Sequence, residues 1–127
     1  MLPITVLVAD DEPMLRRALA DMLDAHPGVS VVGVARDAPG AVALARVLRP
    51  AVVLLDVRMP GGGGVEAARR IRLVSPGTRV LAHSAFDDRS SRTAMLAAGA
   101  DGYILKGTPS AHIVARVMAV AQDSRAS

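Results

Sequence analysis

The sequence predicts one doubly wound α/β domain built on a five-stranded parallel sheet. Three observations predict it: five short apolar runs rich in β-branched residues, a helical apolar period after each run, and strict alternation of the two along 127 residues. Such alternation requires right-handed crossovers with helices on both faces of the sheet. The length fits one compact domain and leaves little room for a second.

The first strand is expected over residues 4–9, ending at Asp10-Asp11-Glu12-Pro13. Pro13 suits the first turn of a helix, where its missing N–H is no loss, and the acids before it complement the helix dipole. Leu15, Ala18, Leu19, Met22 and Leu23 then recur at helical spacing until His26-Pro27-Gly28 stops them. A second strand follows over 29–35 with Gly33 inside it. Asp37 or Pro39 opens the next helix, which carries Ala41, Val42, Leu44, Ala45 and Leu48 up to Arg49-Pro50.

The third strand, over 51–55, is the most apolar and suits the centre of the sheet; it stops at Asp56. Taken alone, Asp56 is either a turn cap or a working acid. A loop containing Gly61 to Gly64 leads to a helix expected from about 65 to 74, with Val65, Ala68, Ile71 and Arg72 spaced by turns and Ser75-Pro76-Gly77 ending it. The fourth strand, over 79–82, ends in His83-Ser84. Asp87-Asp88 starts a helix that runs through Met95 and Leu96 to a glycine cap at Gly99. The fifth strand, over 102–105, ends at Lys106. Thr108-Pro109-Ser110 then caps a last helix over 111–121 with a stripe of Ile113, Val114, Val117, Met118 and Val120. The domain is expected to occupy 1–121, with 122–127 a tail or the start of a linker.

Composition narrows the function classes. There is no cysteine, hence no disulfide framework and no thiolate metal site, which suits a reducing cytoplasm. No apolar run of about 18 residues is present to span a bilayer, and residues 1–3 lack the start of a signal peptide. The net charge of +3 raises nucleic acid, but the charge is scattered. Arg69, Arg70 and Arg72 read as a solvated helix face, and one Phe, one Tyr and no Trp give no stacking platform. Of fifteen basic residues one is lysine, Lys106, leaving fourteen arginines.

In an open α/β sheet, ligands bind at the carboxyl ends of the strands where strand order reverses. In the flavodoxin-like order 2-1-3-4-5, that edge collects Asp10 and Asp11, Asp56, Ser84 and Lys106. Two unit charges ~5 Å apart at an effective dielectric near 20 repel by roughly 3 kcal/mol, so crowded carboxylates need a cation. An all-oxygen site suits Mg²⁺, which takes one or two carboxylates, waters and a phosphoryl oxygen. With Mg²⁺ and Lys106 beside it, an ionised Asp56 can attack phosphorus, and Ser84 can hydrogen-bond a phosphoryl oxygen.

Asp10-Asp11, Asp56 followed by Met59-Pro60 and Gly64, Ser84-Ala85, Tyr103 and Lys106 together resemble the receiver domain of bacterial two-component response regulators. The resemblance covers residues 4–121. It implies that Asp56 is the phosphoacceptor for a sensor histidine kinase, with Lys106 and Ser84 completing the reacting set. It further implies Mg²⁺ ligation by Asp11 directly, by Asp10 through water, and by Asp56 and the backbone carbonyl of Arg58. Ser84 and Tyr103 resemble the switch pair, while Tyr103 reads equally well as simple core packing. Gly107 departs from the family's proline after the lysine, which implies a trans and looser loop, and four consecutive glycines loosen the loop after Asp56.

The spacing around Asp56 and Gly-Ala-Asp-Gly-Tyr before the lysine resemble the LuxR/NarL-type subgroup, whose output is a C-terminal DNA-binding domain regulating transcription. These 127 residues contain no such domain, and a truncated receiver is expected rather than a stand-alone one. A homodimer is a further candidate assembly. Arg58 and Phe86 lie where access of water to the site would be controlled.

The same residues bear on other readings. Asp87 and Asp88 fit helix-start acids better than metal ligands. His26, His83 and His112 lack zinc spacing, and Gly61 to Gly64 lacks the Gly-Lys-Ser/Thr of a phosphate-cradling loop. A haloacid-dehalogenase-type phosphatase would carry an acid two residues after Asp56, where this chain has Arg58. A phosphorylation-independent interaction module on the same fold is the remaining alternative.

Overall fold

The computed structural model describes residues 2–122. Five parallel strands, β1 (Ile4–Ala9), β2 (Val29–Ala35), β3 (Val52–Asp56), β4 (Arg79–Ser84) and β5 (Gly102–Leu105), alternate with five helices. These are α1 (Pro13–Asp24), α2 (Ala38–Leu48), α3 (Gly63–Val74), α4 (Arg89–Ala97) and α5 (Ser110–Gln122). The strand order is β2-β1-β3-β4-β5, as the sequence predicts.

The sheet divides the core in two by strand parity. Val53 and Leu55 of β3 pack with Leu7, Val80 and Ala82 against α2, α3 and α4. Val52 and Leu54 pack with Val6, Val8 and Leu81 against Leu19 and Leu23 of α1 and Ile113 and Val117 of α5. Each fully buried Leu or Val removes enough apolar surface to stabilise the fold by about 1.5–3 kcal/mol. Alanines at 38, 41 and 45 of α2 and at 67 and 68 of α3 have no side-chain bulk to hold these helices away from the sheet.

Helix starts follow local chemistry. The Glu12 carboxylate accepts from the N–H groups of Met14 and Leu15 at 3.2 and 2.6 Å, and Asp37 accepts from Gly40 at 2.7 Å. Asp88 caps α4 by accepting from Ser91 at 2.9 Å, so it serves the helix start as expected.

Several boundaries and stripe positions differ from expectation. Helix α3 starts at Gly63 rather than 65, because Gly64 carries no Cβ. An added Cβ there would stand 2.6 Å from the Asp56 carbonyl and 2.8 Å from Val57 Cα, so only glycine lets α3 begin tight against the strand. Arg72 is exposed and donates to the Gly99 carbonyl at 3.3 Å, while Ala67 takes the buried place. Ala18 and Leu96 are exposed, and Leu48 is half-exposed with its Cδ1 reaching Gly33. Strand β4 runs on through His83 and Ser84. In β2 the register shifts at Gly33, and Val32 bulges outward, 37 % exposed. Helix α5 extends to Gln122, one residue past the expected boundary, and the remainder of the expected tail, 123–127, lies outside the described residues.

Candidate functional site

The carboxyl ends of β1, β3 and β5 meet beside the point where the strand order reverses, with β1 and β3 adjacent. Asp10 leaves β1, Asp56 ends β3, and Lys106 follows β5 directly. One carboxylate oxygen from each of Asp10, Asp11 and Asp56 lies within 4.8 Å of the others. Asp10 and Asp56 are buried and Asp11 is exposed, so the cluster opens to solvent on the Asp11 side.

Lys106 reaches across this cluster. Its Nζ stands 3.3 Å from Asp10 Oδ2 and 3.2 Å from Asp56 Oδ2. The 3.3 Å ion pair with Lys106 is the contact that compensates Asp10 Oδ2. The other oxygen of Asp10 accepts from the Glu12 N–H at 2.9 Å, and Asp56 Oδ1 accepts from the Arg58 N–H at 3.2 Å. Asp56 therefore does serve its own turn, but with one oxygen only.

The electrostatics are lopsided. Burial, then the charge of Asp10, raises the Asp56 pKa, and the Arg58 N–H and Lys106 only partly oppose them. Burial alone would lower Lys106, yet the charges of Asp56 and Asp10 outweigh it and leave its pKa raised. An ordinary ion pair lowers its acid; here one ammonium is divided between two carboxylates, and Asp56 is left under-neutralised. Three oxygens crowded this way fit a hard divalent cation.

Ser84 and Tyr103 do not point their hydroxyls at one another. Ser84 Oγ accepts from the Phe86 N–H at 3.0 Å, and the Tyr103 hydroxyl donates to the Phe86 carbonyl at 2.8 Å. Both residues are buried, and Phe86 joins them. The Arg58 guanidinium lies 4.0 Å over the Phe86 ring, and that of Arg92 lies 4.6 Å over the Tyr103 ring. Arg92 carried no signal in sequence, since one arginine on an amphipathic helix reads as surface. Arg16, which donates to the Asp10 carbonyl at 3.0 Å, escaped for the same reason.

His83 is 2 % exposed, and neither ring nitrogen has a hydrogen-bond partner. Burial, and then the Lys106 charge, lower its pKa to about 4 against the opposing charge of Asp10. Gly107 has φ +94°, and no cis peptide occurs among the described residues, matching the trans loop expected after Lys106.

A doubly wound domain with three carboxylates at its switch point and a lysine across them is a receiver-type signalling domain. This chain belongs to the response regulator receiver domain family, whose model matches residues 6–118. It is 38 % identical over 122 residues to the response regulator GacA of Pseudomonas viridiflava, covering 96 % of this chain and 57 % of that protein. It is 36 % identical over 104 residues to the nitrate/nitrite response regulator protein NarL of Escherichia coli, covering 82 % and 48 %. The signal receiver domain of the response regulator NarL from Mycobacterium tuberculosis superposes with a TM-score of 0.93 at 35 % identity, covering 98 % of this chain and all of that one. The chain thus spans about half the length of the curated relatives it matches. The family acts as a phosphorylation switch, phosphorylated by histidine kinases and typically using Mg²⁺ at an acidic pocket. No helix among the described residues is long and apolar enough to cross a membrane.

Proposed function

We propose that this chain takes a phosphoryl group on Asp56 from a sensor histidine kinase and changes conformation in response. The observation that carries the reading is Lys106 Nζ between Asp56 and Asp10, at 3.2 and 3.3 Å, inside a three-carboxylate pocket. Asp56 Oδ attacks phosphorus as the N–P bond of the kinase phosphohistidine breaks. With a proton on its other ring nitrogen, the imidazole leaves with the bonding electrons as a neutral histidine side chain. Lys106 neutralises charge on the transferring oxygens and holds Asp56 in place.

Asp11, Asp56 and the Arg58 carbonyl would hold Mg²⁺, with Asp10 acting through water. Bound there, the ion supplies the positive charge that a single lysine divided between two acids does not. The domain assignment, residues 1–121, and a cytoplasmic setting follow from the same reading. The output is proposed to be a C-terminal DNA-binding domain controlling transcription. In support, the chain is 34 % identical over 119 residues to the transcriptional regulatory protein YxjL of Bacillus subtilis. It also superposes at TM-score 0.88 and 31 % identity on a LuxR-family response regulator from Aurantimonas.

Incubation with acetyl phosphate and Mg²⁺ followed by intact mass measurement tests the reading. One added phosphoryl group is expected on the wild type and none on Asp56→Asn. Equal mass on both would place the acceptor elsewhere.

A further inference from the structure

Three contacts converge on Phe86. Its N–H donates to Ser84 Oγ at 3.0 Å, its carbonyl accepts from the Tyr103 hydroxyl at 2.8 Å, and its ring lies 4.0 Å beneath the Arg58 guanidinium. Arg58 also donates its N–H to Asp56 Oδ1 at 3.2 Å. One residue therefore touches the acidic site with its backbone and the loop between β4 and α4 with its side chain.

Phe86 is 41 % exposed, so burial contributes little to holding it. The two hydroxyls of the proposed switch both bind its backbone, Ser84 Oγ as acceptor and the Tyr103 hydroxyl as donor. Displacing this loop would break both bonds at once, and the loop's side-chain tie to the β3 end is the Arg58 stack. A guanidinium over an exposed ring is held weakly. A phosphoryl dianion attracts the same guanidinium more strongly, through charge-assisted hydrogen bonds. The other charged groups on the loop are Asp88, whose carboxylate feels Arg58, and Asp87, which pairs with Arg92 at 2.9 Å.

We propose that the Arg58–Phe86 stack is a latch. Arg58 is a positioning residue acting through Phe86: it keeps the Ser84 and Tyr103 hydroxyls on the Phe86 backbone. Negative charge arriving on Asp56 draws the guanidinium off the ring and releases both hydroxyls together. The trigger half of this proposal rests on Asp56 being the acceptor.

The chain has one tyrosine, one phenylalanine, no tryptophan and three histidines, so the Tyr103 ring signals are assigned from a short list. Hydrogen exchange of the amide at position 86 and the Tyr103 ring resonances are followed without phosphodonor or Mg²⁺. The proteins compared are the wild type, Arg58→Met, Arg58→Lys, Phe86→Leu and the Arg58→Met/Phe86→Leu pair. Each of Arg58→Met and Phe86→Leu should speed that exchange by about two- to fivefold and shift the Tyr103 signals. The double variant should exceed neither single, and Arg58→Lys should restore part of the protection. Unchanged exchange and Tyr103 signals in Arg58→Met, or full additivity in the double variant, overturns the latch. Phosphoryl uptake from acetyl phosphate is weighed in parallel. No uptake by the wild type defeats the acceptor reading and the trigger, whereas uptake with unchanged exchange in Arg58→Met defeats the latch alone.

Discussion

Lys106 Nζ lies 3.2 Å from Asp56 Oδ2, yet the pKa of Asp56 is raised. The reason is Asp10, whose Oδ2 stands 3.3 Å from the same ammonium and whose charge joins burial in opposing ionisation of Asp56. A site arranged this way is strained towards binding a cation. The arrangement that suits Asp56 to a bound cation makes it a burden on the fold without one.

Replacing Asp56 by Asn should therefore stabilise the metal-free protein. A raised folded pKa gives stability that is present below the ordinary value of 3.8 and lost as pH rises through the folded value. Wherever Asp56 is ionised that stability is gone, and Asn has no charge to bury. Thermal unfolding in EDTA at pH 7 should show Asp56→Asn melting a few degrees higher. Added Mg²⁺ should raise the wild-type midpoint more than that of the variant, through preferential binding to the native state. A variant less stable than the wild type in EDTA would contradict the electrostatic account.

Gly64→Ala should damage the site through the backbone. The new methyl carbon would fall 2.6 Å from the Asp56 carbonyl oxygen and 2.8 Å from Val57 Cα, both main-chain atoms that cannot rotate aside. Overpacking of this kind costs about 1–3 kcal/mol. The expected result is a lower denaturation midpoint together with slower phosphoryl uptake. Gly77→Ala, where nothing lies within 4 Å, serves as the control and should be nearly neutral.

Sequence carried most of the sheet and little of the loops. Strand order and the meeting of Asp10, Asp56 and Lys106 were legible because apolar runs and their polar exits lie in continuous segments of chain. The start of α3 is not legible, because glycine reads as a loop residue and the signal that Gly64 is pressed against the Asp56 carbonyl exists only in three dimensions. The orientation of Ser84 and Tyr103 was equally hidden. Both hydroxyls turn to the backbone of Phe86, and backbone acceptors leave no trace in residue identity. The apolar stripes are also wider than the covered faces: Ala18 is exposed, and Leu48 is 38 % exposed while its Cδ1 still reaches Gly33 of β2.

Lys106→Met should separate chemistry from scaffold. It leaves Asp10 and Asp56 without their shared counter-charge, and because the site opens to water the loss should be about 1–2 kcal/mol, below that for a fully buried pair. The raised Lys106 pKa means its contribution is fully present below 10.5 and disappears as pH rises through the folded value. The wild type should thus lose stability in strongly alkaline solution, a loss absent from the variant. Phosphoryl uptake should fall at least tenfold while far-UV circular dichroism stays unchanged. Undiminished uptake would remove Lys106 from the reacting set.

His83 offers the sharpest pH test. Its imidazole is enclosed beside Lys106, with both nitrogens unpaired, and its pKa falls from 6.5 to about 4. The fold therefore holds the neutral ring while the unfolded chain takes up a proton. Stability from this group is complete above 6.5 and is lost as pH falls from 6.5 to about 4, a change of roughly 3 kcal/mol at most. His83→Leu keeps similar bulk, removes two buried unpaired polar atoms and abolishes that titration. Urea unfolding at pH 7.5 and pH 4.5 should show the variant at least as stable as the wild type at the higher pH. At the lower pH the variant's advantage should grow by about 2 kcal/mol or more, and parallel losses in the two proteins would mean that His83 is protonated in the folded state.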